Sequence, residues 1–208
     1  MADIKKWEDY DTIICPDGQE IDMQALLDDQ ERAKAALVHL CPFFGEFIGK
    51  LRPVYTFRIE TQATDGKDIL INPQFTANLN FSQKVFVMAH EIMHCVLNHM
   101  RRAKDKGWSM DKANVAADYE CNITLAKEAT NGIGIISMDT MKKTKAYVDK
   151  KYDGWGFEKI YADCKDQYND SQDNSMSGKD DIQQVADADY IRGWNQAIAD
   201  WKAGKLKL

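Results

Sequence analysis

The sequence lacks the long apolar run, the signal segment and the regular cysteine spacing that mark membrane and secreted proteins. No stretch approaches the roughly 20 consecutive apolar residues that span a bilayer, and the opening residues MADIKKWEDYDTII contain no apolar signal region. The five cysteines follow no regular spacing, which excludes a disulfide framework and is typical of a reducing compartment. We therefore expect a cytoplasmic protein with free thiols.

An excess of positive charge is also missing. The chain carries 27 lysines and arginines against 33 aspartates and glutamates, a net charge of -6, and its basic residues are scattered among acids. A nucleic-acid partner is therefore not expected. With 208 residues, 44% of them hydrophobic, the chain is long enough for one sizeable core. We predict a single domain over residues 1–208, in which residues 1–21 form an N-terminal extension.

Local patterns in the first third of the chain predict two helices followed by a β-hairpin. Apolar residues recur at helical spacing from Asp22 to about Val38, and the segment PFFGEFIGKL is typical of a short second helix. Residues 52–60 and 68–71 alternate apolar and polar side chains on either side of the turn-forming Thr64-Asp65-Gly66. This alternation predicts a hairpin.

Two longer helices are predicted next, each opened by a polar residue placed to cap its first turn. Asn80 or Ser82 begins a helix through FSQKVFVMAHEIMHCVLNHMRR. Ser109 or Asp111 begins another that reaches about Ala129. The order of elements is thus helix, helix, hairpin, helix, helix.

The last third of the chain has weaker patterns. Residues 133–152 mix short apolar runs with lysines, and we expect them to be irregular. The segment WGFEKIYADCK predicts one more helix. Residues 169–181 are almost wholly Ser, Asp, Asn and Gly, which predicts a mobile loop, and residues 182–204 predict an amphipathic C-terminal helix.

The segment His90-Glu91-Ile92-Met93-His94 is the strongest indication of chemistry in the sequence. Two histidines four residues apart on a helix differ by about 40° in azimuth, so both imidazoles can reach one metal ion. The flanking residues are apolar, which places the pair in a buried segment where unpartnered imidazoles would be costly. Glu91 points to a neighbouring azimuth, where its carboxylate can act as general base on a metal-activated water. The pattern predicts one catalytic Zn²⁺ ion.

A catalytic zinc site needs a third protein ligand, and the candidates are His99, Asp118 and Glu120. His99 lies about 180° round an unbroken helix from His90, so it faces away unless the helix ends first. It is expected to support a ligand or the fold. Asp118 is preferred because small residues beside it allow its helix to approach closely. Glu120 cannot share a face with Asp118, whereas Asn122 can, and Asn122 is expected to contact a ligand or the substrate.

Other side chains are candidates for supporting roles. A tyrosine can assist the metal by donating a hydrogen bond to the oxyanion, although core packing is the alternative for each tyrosine. The candidates are Tyr119, Tyr147, Tyr152 and Tyr161. Cys95 and Cys121 belong to no Cys-x-x-Cys pair, and we interpret them as buried core residues rather than zinc ligands.

Five segments follow one another in a recognisable order between Leu40 and Cys164: CPFFGEFIGKL, DILINPQF, VFVMAHEIMHCVLNHMRR, NVAADYECN and KYDGWGFEKIYADC. They resemble a family of metallopeptidase domains of bacteria and phages, often encoded beside von Willebrand factor A-like domains and MoxR-type ATPases. The resemblance implies a zincin-like fold, metal binding by His90, His94 and Asp118, and a catalytic Glu91. By the same analogy, a MoxR-type ATPase is a candidate protein partner.

Together the patterns predict a mainly helical α+β domain of the zincin type, with a small β-hairpin beside the active-site helix. The expected function is zinc-dependent hydrolysis of peptide bonds in a peptide or protein, with Glu91 as general base. The alternative is a non-catalytic binding or scaffold module in which zinc only stabilises the fold. A structural site would be closed by four protein ligands, for example with His99 or Glu120, whereas a catalytic site keeps a position for water.

Overall fold

A computed structural model of the chain describes residues 10–131 and 136–164, and the predicted loop at 169–181 and helix at 182–204 lie outside these residues. The described chain forms a mixed α+β fold. In chain order its elements are β1 (Thr12–Ile14), β2 (Glu20–Asp22), α1 (Met23–Leu40), α2 (Pro42–Ile48), β3 (Arg52–Tyr55), β4 (Gln62–Thr64), β5 (Asp68–Ile71), α3 (Pro73–Ala77), α4 (Phe81–Val96), α5 (His99–Asp105), α6 (Met110–Asn131), α7 (Met138–Lys143), a 3₁₀ turn (Lys150–Tyr152) and α8 (Phe157–Asp163).

The three-stranded sheet has the order β3-β5-β4 and corrects the predicted hairpin. The turn at Asp65-Gly66 joins β4 to β5, which pair antiparallel with Ala63 opposite Leu70. The strand β3 instead pairs parallel with β5. The prediction that residues 52–60 and 68–71 form one hairpin is therefore wrong. Alternation assigns side chains to faces, but it fixes neither the partner of a strand nor its direction.

The helices α1 and α4 pack together in the centre of the fold. The side chain of Asp22 caps the first turn of α1, and Asn80 caps α4 in a reciprocal capping box with Gln83. Between the two helices, Lys84 Nζ lies 2.5 Å from Asp29 Oδ2, so the buried ammonium group is paired. The predicted starts of both helices are thus confirmed.

The long helix predicted through Arg102 is divided in two, which corrects that prediction. The helix α4 ends at Val96, and Asn98 adopts a left-handed conformation (φ 54°, ψ 39°) before α5 begins at His99. In a continuous helix, five residues would rotate His99 by roughly 140° from His94. Helical periodicity persists across the break, so the sequence pattern does not reveal it. Asparagine tolerates the left-handed region better than most residues.

The region 133–152, predicted to be irregular, contains two short helical segments in its described part. They are α7, whose first turn is capped by the side chain of Ser137, and the 3₁₀ turn. Met141 of α7 is fully buried. Both segments are too short for periodicity to identify. Within the predicted N-terminal extension, β1 and β2 form an antiparallel pair in which the facing Ile13 and Ile21 are both buried.

The buried apolar residues form two clusters. The larger core lies among β1, β2, α1, α2, the three-stranded sheet and α4. The smaller cluster lies among α5, α6, the 3₁₀ turn and α8, and consists of Ala103, Ala113, Ala116, Ala117, Tyr152, Phe157, Ile160 and Cys164. The helix α6 borders both, since its Cys121 and Leu125 belong to the larger core. In the described part of the chain, no helix has both the length and the apolar character needed to cross a membrane.

Candidate metal centre

His90 and His94 on α4 face Asp118 on α6. The Nε2 atoms of the two histidines lie 2.9 Å apart, and Asp118 Oδ1 lies 3.4 Å from His90 Nε2 and 3.2 Å from His94 Nε2. The neighbouring Ala116 and Ala117 are buried and belong to the smaller cluster. The structure therefore brings the three sequence-predicted ligands together. His94 is the most accessible, with 13% of its side chain exposed against 3% for His90 and 4% for Asp118.

Because they are buried together, Asp118, His90 and His94 shift one another's pKa values. Burial disfavours the ionised form of Asp118, but its hydrogen bonds with the two histidines outweigh burial and lower its pKa to about 2. Burial also opposes protonation of His90, yet the Asp118 carboxylate outweighs it and raises the pKa of His90. Burial and the neighbouring His90 lower the pKa of His94 to about 4.

Asn122 holds the far side of the His90 ring. Its Oδ1 lies 2.8 Å from His90 Nδ1, and its Nδ2 donates to the backbone carbonyl of Tyr147 at 3.0 Å. Because the amide nitrogen of Asn122 donates to that carbonyl, its amide oxygen faces the His90 ring. This oxygen accepts a hydrogen bond from the N–H at His90 Nδ1. Neutral His90 then carries its lone pair on Nε2, the atom next to Asp118. Asn122 thus contacts one of the candidate ligands.

His99 contacts His94 on the side opposite to Asp118. The two Nδ1 atoms lie 3.2 Å apart, and His99 Nε2 lies 2.8 Å from Glu120 Oε2. The helix α4 ends before His99, which is the condition under which we expected that His99 need not face away from the site. The two alternative third ligands, His99 and Glu120, are hydrogen-bonded to each other, and of the three candidates it is Asp118 that lies beside both Nε2 atoms.

Glu91 lies next to the cluster and is only 4% exposed. Burial raises its pKa to about 8, the charge of His90 acts in the opposite direction, and Asp118 raises it further. Among the residues that the structure describes, its carboxyl group has no hydrogen-bond partner. A buried carboxyl group without a fixed partner is free to bind a water molecule or a substrate group.

Cys121, which we interpreted from the sequence as a buried core residue rather than a ligand, is fully buried and also adjoins the centre. The potential ligand atoms of His90, His94 and Cys121 all lie within 4.8 Å of one another, so this group could hold a metal ion. Its Sγ lies 3.8 Å from His99 Nδ1. The signal in the sequence was its position three residues after Asp118, on the same face of α6. Burial and the neighbouring acids raise the pKa of the Cys121 thiol well above its usual range.

The four tyrosines considered as oxyanion donors make aromatic contacts. The ring of Tyr119 lies 5.4 Å from that of Tyr147 and 4.6 Å from that of Tyr152. Tyr161 stacks on Trp108 with ring centroids 3.8 Å apart. Within residues 10–131 and 136–164, no hydrogen bond joins any of the four hydroxyl groups to the candidate ligands. These contacts support the packing role for each of them.

Comparisons with known proteins assign the chain to one family. A search of curated proteins and a search of solved structures each found no match. A family model with the description "Putative metallopeptidase domain" matches residues 27–205, which is most of the chain. The matched range contains every described element from α2 to α8 and all of the candidate ligands. The chain therefore belongs to this metallopeptidase domain family.

Proposed function

We propose that the protein is a zinc-dependent metallopeptidase that hydrolyses peptide bonds, with His90, His94 and Asp118 as zinc ligands and Glu91 as general base. The observation that carries the proposal is the convergence of three ligand atoms beside a buried carboxyl group that has no hydrogen-bond partner in the described chain. Membership of the metallopeptidase domain family supports the same class of enzyme.

The spacing of the three ligand atoms fits tetrahedral zinc. Bonds of about 2.0–2.1 Å at tetrahedral angles place neighbouring ligand atoms roughly 3.3 Å apart. The observed separations are 2.9, 3.2 and 3.4 Å. Two imidazole nitrogens and one carboxylate oxygen are a donor set that zinc accepts, and three protein ligands leave one position for water or substrate.

Glu91 is the group that moves protons in this mechanism. A zinc ion bound at the site would polarise the scissile carbonyl and make a coordinated water more acidic. The Glu91 carboxylate takes the proton from the attacking water and passes it to the nitrogen of the leaving amine. Its pKa of about 8 without a metal ion falls when a positive charge occupies the ligand cluster, which favours the carboxylate before the first transfer.

The strand β4 is the expected binding place for the substrate backbone. It is the antiparallel edge strand of its sheet and packs against α4, where Cys95 Sγ lies 3.7 Å from Thr64 Oγ1. A sheet edge offers backbone N–H and C=O groups that can pair with an extended peptide. We propose on this basis that the domain is zincin-like, with the substrate lying along β4 beside the ligand-bearing helix.

The decisive experiment combines zinc analysis with the variant Glu91→Gln. We expect near-stoichiometric zinc in both proteins, and a fall in kcat/KM of roughly 1,000-fold for the variant on a fluorescence-quenched peptide library. Glu46→Gln, which changes an exposed acid on α2, is the matched control and should leave hydrolysis unchanged. Sub-stoichiometric zinc in the wild-type protein, or unchanged hydrolysis by Glu91→Gln, would contradict the proposal.

Cys121 supports a second candidate function, a binding module with a closed structural zinc site. Four protein ligands, His90, His94, Asp118 and Cys121, would leave no position for water. Replacement of zinc by cobalt distinguishes the two candidates, because a cobalt–thiolate bond produces an intense near-ultraviolet charge-transfer band. The catalytic site predicts no such band. The closed site predicts a band that Cys121→Ser removes and that Cys95→Ser, the matched control on α4, retains.

A further inference from the structure

We propose that Glu120 is a positioning residue that acts through His99 to turn the lone pair of His94 Nε2 towards the metal ion. The proposal rests on the proposed metal site, and it assigns a role to two residues that are not ligands. The evidence is a continuous series of contacts from α6 to α4. Glu120 Oε2 lies 2.8 Å from His99 Nε2, and His99 Nδ1 lies 3.2 Å from His94 Nδ1.

The direction of each hydrogen bond follows from the chemistry of the groups. A carboxylate only accepts hydrogen bonds, so His99 Nε2 must carry the proton that it donates to Glu120. Neutral His99 then has a bare Nδ1, which can only accept. His94 Nδ1, 3.2 Å away, and the Cys121 thiol, 3.8 Å away, are the groups placed to donate to it. When His94 Nδ1 donates, neutral His94 has its lone pair on Nε2, where His90 Nε2 can donate from 2.9 Å. His94 Nε2 is the atom beside Asp118.

Arg102 keeps the carboxylate of Glu120 in place. Its Nη1 lies 3.5 Å from Glu120 Oε2 and donates to the backbone carbonyl of Leu97 at 2.9 Å. Its other nitrogens bind both carboxylate oxygens of Glu158 on α8, at 3.0 and 2.6 Å. The guanidinium group thus ties the end of α4 to α6 and α8. A Glu120 side chain held in this way presents its oxygen to His99 in one orientation.

Packing fixes the His99 ring between two aromatic neighbours. Its centroid lies 5.3 Å from that of His94 and 4.8 Å from that of Phe157, and its side chain is only 1% exposed. The ring therefore has little freedom to flip and reverse the hydrogen bonds. His90 is held differently, since a neutral amide contacts its Nδ1. His90 and His94 thus both direct an Nε2 lone pair towards the site. His90 is oriented by an amide, and His94 is oriented by His99.

Nitrogen NMR of the zinc-free protein tests the proposal without any measurement of activity. Long-range ¹H–¹⁵N spectra distinguish the two neutral imidazole tautomers, and the chain has four histidines, of which the exposed His39 is the solvent reference. In the wild-type protein at neutral pH, we expect His94 to carry its proton on Nδ1 and His99 on Nε2. In Glu120→Ala we expect His94 to lose this preference. A wild-type His94 protonated on Nε2 would overturn the proposal even if the variant failed to fold.

Zinc affinity, measured by competition with a chromophoric chelator, is the second readout. Glu120→Ala should weaken zinc binding roughly 10- to 100-fold. Glu46→Ala removes an exposed acid on α2, outside this series, and it should change the affinity by less than about threefold. Equal affinities and tautomers in wild type and Glu120→Ala would overturn the positioning role. If the protein shows the expected tautomers but binds no zinc, the role of Glu120 is supported and the proposed metalloenzyme is refuted. Failure of the positioning role can therefore be distinguished from failure of the proposed function.

Discussion

The two candidate histidine ligands are held by two regions of unlike construction. On one side, the His90 ring packs 5.9 Å from that of Phe86 in the larger core, and the neutral amide of Asn122 contacts its Nδ1. On the other side, His94 is followed by His99 and a series of charged groups on α5, α6 and α8, the helices around the smaller cluster. The same ligand chemistry is thus supported once by an apolar core and once by a charged series. The second support depends on far fewer buried residues.

Truncation of one phenylalanine in each region is the strongest test of whether the two regions support the two histidines separately. Phe157→Ala removes the ring beside His99, and Phe44→Ala removes a fully buried ring from the larger core. Each change should cost about 3–5 kcal/mol of unfolding free energy in urea titrations of the zinc-free protein. Only Phe157→Ala should also weaken zinc binding, by roughly 10-fold or more, because His99 loses its packing. Equal zinc affinities in the two folded variants would contradict the division of the site between the regions.

Glu91 is a buried ionisable group on α4, and its effect on the free energy of unfolding depends on pH. The pKa of Glu91 is about 8 in the folded protein against an ordinary 4.5. As pH rises from 4.5 to 8, Glu91 ionises in the unfolded chain but stays protonated in the folded chain. This ionisation lowers the free energy of the unfolded state, so the free energy of unfolding falls. Below 4.5 the group is protonated in both states and has no effect.

Glu91→Gln should therefore stabilise the zinc-free protein increasingly between pH 5 and pH 8, by about 4 kcal/mol at the upper end. Chemical denaturation of both proteins in the presence of a chelator measures the difference. Glu46→Gln is the control, and its effect should stay below about 0.5 kcal/mol. A stabilisation of Glu91→Gln that shrinks as pH rises would show that the Glu91 carboxyl group is already ionised in the folded protein.

Asn122→Leu isolates the support on the His90 side. The change leaves His90 Nδ1 and the carbonyl of Tyr147 without their hydrogen-bond partner. We expect a loss of about 2 kcal/mol of stability and a loss of zinc affinity of roughly 10-fold or more. Asn114→Leu, a half-buried position on the same helix, is the control and should change stability by less than about 0.5 kcal/mol. Zinc affinity that is the same in both variants would show that the amide does not orient His90.

Helical geometry made much of the site predictable from sequence. A rotation of about 100° per residue places residues at i and i+4 on one face, so the approach of His90 to His94 and the shared face of Asp118 and Asn122 could both be expected. Cys121 follows from the same rule at i+3, but we interpreted it as a core residue because it belongs to no Cys-x-x-Cys pair. The angular spacing of residues within a helix is a local property, so it does not depend on how the helix packs in the fold.

What the sequence did not reveal depends on contacts between distant segments or on single backbone angles. The direction of β3 is set by how it packs beside β5, and alternation of side chains is the same in either direction. The place of His99 depends on one residue, Asn98, whose left-handed angles end α4 without any proline or glycine to mark the end. No periodic pattern contains that information.

The left-handed conformation of Asn98 is also the basis of the smallest effect that we predict. Glycine adopts this region freely, whereas a residue with a β-carbon that lacks the short polar side chain of asparagine is strained there. Asn98→Gly should leave stability within about 0.5 kcal/mol and keep the His94–His99 contact. Asn98→Ala should cost about 1 kcal/mol and favour a longer α4, which would carry His99 away from His94. Thermal unfolding gives the cost, and the ring tautomer of His94 reports the contact. An alanine variant with wild-type stability and the wild-type tautomer would show that the break between α4 and α5 is imposed by packing of the smaller cluster and not by the residue at this position.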